Sequence, residues 1–180
     1  MIEKDVKEVL VSEEEVIERC KELAAQIEQD YIEKQEVPLV IGLLRGSVPF
    51  MAELLKRFHM PVTMEYMKVS SYQGTESSGD VRIEKDTDLS VKGKSILIVE
   101  DIIDTGRTLY EVKKLFLMRG ARDVKVVSLL NKPTRREVDI EGDYIGFEIP
   151  NKFVVGYGLD YNQKYRNLPF IGVLKPEIYE

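Results

Sequence analysis

The chain has one cysteine and one histidine in 180 residues, and each scarcity removes a class of chemistry. Cys20 cannot close an internal disulfide, which fits a reducing, cytoplasmic setting. It falls in helical step with Val16, Ile17, Leu23, Ala24 and Ile27, the place of a core residue rather than a nucleophile. His59, shortly before Pro61, has no second histidine to join it in a triad or a zinc site, so a surface position is expected. No apolar run approaches membrane-spanning length, and no signal-peptide pattern heads the sequence. Positive charge is also short: 26 Lys and Arg against 32 Asp and Glu give a net charge of −6. With no obvious basic cluster, non-specific nucleic-acid binding is disfavoured. The G-x-x-x-x-G-K-[ST] nucleotide loop occurs nowhere in the chain.

What is present concentrates in residues 96–109, ILIVEDIIDTGRTL. Ile96 to Val99 read as a strand buried on both faces, as in a parallel sheet. Glu100, Asp101 and Asp104 form a charged loop, and Thr105-Gly106-Arg107-Thr108 opens a helical pattern that ends at Gly120. Open α/β sheets bind ligands at such strand ends, and the free N–H groups of a helix start favour phosphate. Three acids beside a phosphate cradle need a metal or a sugar diol between them. A ribose 5-phosphate meets both demands. Asp104-Thr105-Gly106 is also the triplet of aspartic proteases, which requires β structure after the glycine and not the helix expected here. A plain strand–helix turn with solvated acids stays open on these residues alone.

The rest of the chain alternates strand and helix. Ser12 with Glu15 forms a capping box for the first helix. Leu39–Leu44 and Val124–Leu130 read as buried strands, Val48–Phe58 as a helix, and Val62–Lys68 as an edge-like strand. Ser70–Asp80 lacks an apolar period and reads as a mobile lid, with Val81–Ile83 pairing back after it. Short strand-like runs follow at Tyr144–Ile149, Phe153–Tyr157 and Ile171–Leu174. This predicts one α/β domain, a doubly wound parallel sheet with a small lobe from the tail.

The segment VEDIIDTGRTL resembles the phosphoribosyl-pyrophosphate (PRPP) signature of the type I phosphoribosyltransferases, closest in wording to the hypoxanthine-guanine branch. LLRGSVPFMAELLKR (43–57) is similar to that family's pyrophosphate loop and following helix, and VSSYQGTESSG (69–79) to its flexible loop. LLNKPTRR (129–136) and the stretch 146–179 look like its purine-binding hood. The resemblance implies the type I phosphoribosyltransferase fold: a central, mostly parallel twisted sheet flanked by helices, within a single domain 1–180. It implies a hood from the N- and C-terminal segments and a flexible loop at about 69–81.

It also implies roles. Glu100 and Asp101 would hold the ribose hydroxyls, directly or through Mg²⁺, with Asp160 on a second ion. Asp104 would manage the purine N7 proton as general acid or base. Thr105, Gly106, Arg107 and Thr108 would hold the 5′-phosphate, and Arg45, Gly46 and Arg166 the pyrophosphate. A non-proline cis peptide would fall at Arg45–Gly46; Arg45 stands where the family often has lysine. Ser71 and Tyr72 would lie in the flexible loop, here one residue shorter than in many bacterial relatives. Lys132 would select the purine 6-oxo group, Phe153 would stack on the base, and Val154 and Asp160 would meet its edge through backbone carbonyls. The expected activity is Mg²⁺-dependent transfer of phosphoribose from PRPP to hypoxanthine or guanine. A xanthine-preferring enzyme, an RNA-binding regulator that kept the fold, and a nucleotide sensor are the alternatives. The expected partners are PRPP and purine bases, without nucleic acid or membrane. A homodimer or homotetramer is expected, with Met51 and Leu55 as apolar contact residues.

Overall fold

The computed structural model describes residues 2–71 and 81–179. Its organising element is a six-stranded sheet in the order β4-β3-β2-β5-β6-β7. The strands are β2 (Leu39–Leu43), β3 (Thr63–Ser71), β4 (Val81–Lys85), β5 (Ser95–Ile103), β6 (Asp123–Asn131) and β7 (Tyr144–Glu148). All neighbours run parallel except β4, which pairs antiparallel with β3 and places Val81 opposite Ser71. β3 is therefore an interior strand and β4 the edge, because the return strand covers the side expected to be free.

The two central strands show how one apolar run builds two cores. Side chains alternate across a sheet. Leu97 and Val99 of β5 join Val40 of β2 in one buried cluster, while Ile96 and Ile98 join Leu39, Ile41 and Leu43 in the other. Helices α1 (Glu13–Glu33) and α2 (Ser47–Leu55) cover the first face, and α3 (Arg107–Met118) covers the second. The start of α1 is the expected capping box: the Ser12 hydroxyl accepts from the Glu15 amide, and the Glu15 carboxylate accepts from the Ser12 amide at 2.8 Å. α3 ends on Gly120 in the left-handed region, with the Ala121 amide donating to the Phe116 carbonyl at 3.0 Å. Cys20 is fully buried, and burial pushes its thiol up to about 12. His59 is exposed and its ring approaches Glu28 at 3.1 Å.

α2 stops three residues short of the expected Phe58. Met51, expected as an exposed contact residue, is fully buried. The reason is Gly42 on β2: a Cβ there would lie 2.5 Å from the Met51 sulfur, so the thioether fills the space the glycine leaves. The large apolar residues that do stand exposed on α2 and β3, among the described side chains, are Val48 and Met64.

A second, three-stranded antiparallel sheet joins the two ends of the chain, in the order β1 (Val6–Val11), β9 (Ile171–Leu174), β8 (Val154–Val155). The short helix α4 (Pro176–Tyr179) follows β9. Among the described residues no helix is long and apolar enough to cross a membrane.

Candidate active site

Connections from β2 and β5 leave the sheet in opposite directions: β2 leads through α2 to β3, and β5 through α3 to β6. The carboxyl ends of these adjacent strands form the switch point at which doubly wound sheets bind ligands. β5 runs further than the sequence suggested, to Ile103, so Glu100 and Asp101 are strand residues rather than loop residues. Asp104, Thr105 and Gly106 then turn the chain into α3. Gly106 is in the left-handed region, and a Cβ there would meet the Ile140 side chain at 2.4 Å. A cavity of about 220 Å³ lies over this segment, lined by Glu100 through Gly106, Thr108 and Leu109. Burial holds the Glu100 carboxyl well above the usual carboxylate range, and the neighbouring Asp101 adds to the shift. Burial likewise pushes Asp101 up to about 6; Arg166 opposes this and the charge of Asp160 adds to it.

Facing the acids is the turn after β2. Its cis peptide is Leu44–Arg45, one bond earlier than the sequence comparison placed it; Arg45–Gly46 is trans. Gly46 sits flush against the acids, since a Cβ there would fall 1.6 Å from Asp101 Oδ2. From behind, Gly158 presses on the Gly46 carbonyl, with only 1.9 Å for a Cβ. Three chain segments thus meet at a point where two of them carry no side chain. Arg45 and Arg166 both donate to Gln163 Oε1, each at 3.1 Å. Arg166 also donates to the Gly158 carbonyl at 2.6 Å and pairs with Asp160 at 2.8 Å.

A second cavity, of about 410 Å³, adjoins the first and is lined by Ile102, Asp104, Lys132, Phe153, Val154, Leu159 and Asp160, among others. Lys132 is 7% exposed. Its ammonium donates to the Lys152 carbonyl at 2.7 Å; desolvation lowers its pKa, and the Asp104 charge partly restores it. Asp104 Oδ1 accepts from Arg135 Nε at 3.1 Å. Arg136 reaches the Asp104 carbonyl and donates to Asn131 Oδ1 at 2.5 Å. Phe153 keeps 39% of its surface exposed.

The family model described as a phosphoribosyl transferase domain matches residues 8–162. The chain belongs to the phosphoribosyltransferase family. It is 57% identical to the hypoxanthine-guanine phosphoribosyltransferase of Lactococcus lactis over 179 residues, covering 99% of this chain and 96% of that protein. With the Bacillus subtilis protein of the same name it shares 52% over 181 residues, covering 100% of this chain and 99% of that one. The crystal structure of a hypoxanthine phosphoribosyltransferase from Staphylococcus aureus superposes with a TM-score of 0.93 at 49% identity, covering 99% and 97% of the two chains. The type I phosphoribosyltransferase fold expected from the sequence is the fold observed.

Within this phosphoribosyltransferase, Glu100, Asp101, Asp104, Thr105, Gly106 and Thr108 line one cavity, and Asp104, Lys132, Phe153, Val154 and Asp160 the other. Arg107 lines neither cavity; its guanidinium pairs with Glu137 at 2.5 Å. Tyr72 and the side chain of Ser71 lie outside the described residues. Sequence reasoning missed Arg135 and Arg136, although the paired arginines stand in the quoted LLNKPTRR. It also missed Gln163, Gly158, Ile102 and Leu159, whose roles depend on contacts across the fold.

Proposed function

We propose that the chain is a purine-salvage enzyme that transfers the 5-phosphoribosyl group of PRPP to N9 of hypoxanthine or guanine, giving IMP or GMP and pyrophosphate. The observation that carries this reading is that Ile102 and Asp104 line both cavities. A sugar phosphate over β5 and a base over Phe153 therefore meet beside one carboxylate.

The 5′-phosphate rests on the free amides at the start of α3, with the Thr105 and Thr108 hydroxyls beside it. Glu100 and Asp101 hold the ribose hydroxyls. The pyrophosphate lies along the Arg45–Gly46 backbone, with Arg166 placed to meet its charge. As the anomeric C–O bond breaks, positive charge grows on the ribose and negative charge on the leaving group. As N9 bonds to the anomeric carbon, the N7 proton becomes acidic and the Asp104 carboxylate takes it; Arg135 on Oδ1 leaves Oδ2 for that proton. Lys132, already fixed on the Lys152 carbonyl, has two further N–H donors for the 6-oxo group. The amino group of adenine cannot accept them. Phe153 offers its face to the ring.

The acids fit a hard divalent cation. Glu100 is buried with only the Asp101 backbone to offset its charge, and the charge of Asp160 adds to the cost of ionising Asp101. Glu100 and Asp101 would hold one Mg²⁺ and Asp160 a second, supplying positive charge to the pyrophosphate. Among the described residues no three His, Cys, Asp or Glu side chains group as a metal cage. That suits an ion that keeps waters and completes its shell with phosphate oxygens. Self-association as a dimer or tetramer belongs to the same reading.

Turnover with PRPP and Mg²⁺, offering hypoxanthine, guanine, xanthine, adenine and uracil separately, tests the proposal. IMP and GMP with adenine and uracil inert support it. Xanthine alone turning over would keep the chemistry and change the substrate. No product from any base would sink it.

A further inference from the structure

The Phe153 ring is a wall shared by two spaces. Phe153 lines both the cavity with Asp104 and Lys132 and a smaller space of about 240 Å³ bounded by Lys7, Glu8, Pro176 and Tyr179. Tyr179 lines only the smaller of the two, and its ring stacks on Phe153 with centroids 4.8 Å apart and planes 23° from parallel. Tyr161 closes the group edge-on, 5.7 Å from Phe153 at 85°.

We infer that Tyr179, at the C-terminal end of the chain, is a positioning residue for the purine, acting through Phe153. The inference rests on Phe153 being the base-stacking face. A ring 39% exposed has few neighbours to fix its rotamer, and fixing it only when the base arrives costs affinity. A parallel partner on one face removes that cost in advance, since offset-stacked rings attract beyond the area they bury.

The backbone makes the support firm. The Leu174 amide donates to the Phe153 carbonyl at 3.0 Å, the Lys175 amide to the Asp5 carbonyl at 2.9 Å, and the Ile178 amide to the Lys175 carbonyl at 3.0 Å. Pro176 presets the first turn of α4. Ile178 packs with Val155, Tyr165, Leu168 and Leu174. Tyr179 is thereby carried on a segment tied to residues that flank both edge strands of the small sheet.

Steady-state kinetics of Tyr179→Ala, Tyr179→Phe and Phe153→Ala, with base and PRPP varied separately, test this. Tyr179→Ala should raise the KM for hypoxanthine about three- to tenfold, the value of one aromatic pair. The KM for PRPP and kcat should stay within about twofold. Tyr179→Phe restores the ring and should return the base KM toward wild type. If Phe153→Ala raises the base KM but Tyr179→Ala does not, the inference fails and the base site stands. If Phe153→Ala leaves the base KM unchanged, the base-site reading fails and takes the inference with it. If Tyr179→Ala raises both KM values together, or lowers kcat alone, the residue holds the lobe together and positions nothing.

Discussion

The two halves of the site are built by different means. The half proposed for the sugar phosphate comes from one continuous stretch, Glu100 to Leu109, at the end of a buried strand and the start of a helix. Its tools are backbone amides, a left-handed glycine, two adjacent acids and a third acid three residues on. The half proposed for the base draws on residues 102–104, 132–135 and 151–160, carried by the end of β5, the turn after β6, and the segment that runs through β8. Its tools are side chains: an ammonium, a ring and an arginine on a carboxylate. A phosphate needs amides that any strand–helix junction supplies, whereas a particular base needs groups aimed from several directions. Asp104 stands at the seam, and variants should break the halves separately.

Asp104→Asn should have the largest effect because it belongs to both halves. Turnover should fall about 10²–10⁴-fold, the usual contribution of general acid–base catalysis, with PRPP affinity largely kept. The asparagine still accepts from Arg135, so the loss would be of proton transfer rather than of position. Pre-steady-state turnover with PRPP affinity measured separately checks it, and a loss of only a few-fold would remove Asp104 from the chemistry.

Gly46→Ala attacks the sugar-phosphate half alone. The added methyl lands on Asp101 Oδ2 and must displace either that acid or the turn after β2. A shift of about 1 Å at a reacting centre costs on the order of 10²-fold. The loss should appear in kcat and in PRPP binding, and the selectivity among bases should hold. Changed selectivity with normal PRPP binding would mean that the two halves are not independent.

Lys132→Met tests the other half. A hydrogen bond from a charged donor is worth about 1.5–3 kcal/mol, so kcat/KM for hypoxanthine should fall roughly ten- to hundredfold. PRPP affinity should stay near wild type, because Lys132 lines only the base cavity. The ratio of hypoxanthine to adenine use should narrow. An unchanged ratio would move 6-oxo recognition elsewhere.

The same contrast explains what could be read from the chain. Ile96 to Val99 announced a buried strand, Ser12 and Glu15 a helix start, and Gly120 a helix end, because each signal is local and chemically specific. The strand–helix turn at Asp104 to Gly106 was legible for the same reason. Met51 was misread because its burial depends on Gly42 of a neighbouring strand, which no periodicity in α2 discloses. Arg135, Gln163 and Gly158 act through contacts with residues 31, 118 and 112 positions away. Their roles follow from the fold and not from spacing. The roles proposed for Lys132 and Phe153 come only through the family resemblance; alone, each resembles an ordinary surface lysine or core ring.

The smallest effect concerns stability, and its sign separates binding from folding. Asp101 is held up to about 6 from an ordinary 3.8, chiefly by burial. In the unfolded chain it ionises freely near 3.8, so between there and about 6 the unfolded state gains what the folded state cannot. Its contribution to stability is fully present below about pH 4 and is lost as the pH rises through 6. Asp101→Asn removes that penalty while keeping an oxygen for the Ile102 amide, which donates to Asp101 at 2.8 Å. At pH 7.5 the ligand-free variant should therefore melt a few degrees above wild type, on the order of 1–2 kcal/mol, and the gap should close toward pH 4. Adding PRPP with Mg²⁺ should narrow the gap at pH 7.5, because only wild type carries the acid that binding uses. Melting curves across that pH range decide it: a variant less stable than wild type at pH 7.5 would show that Asp101 supports the fold rather than being held by it for the ligand.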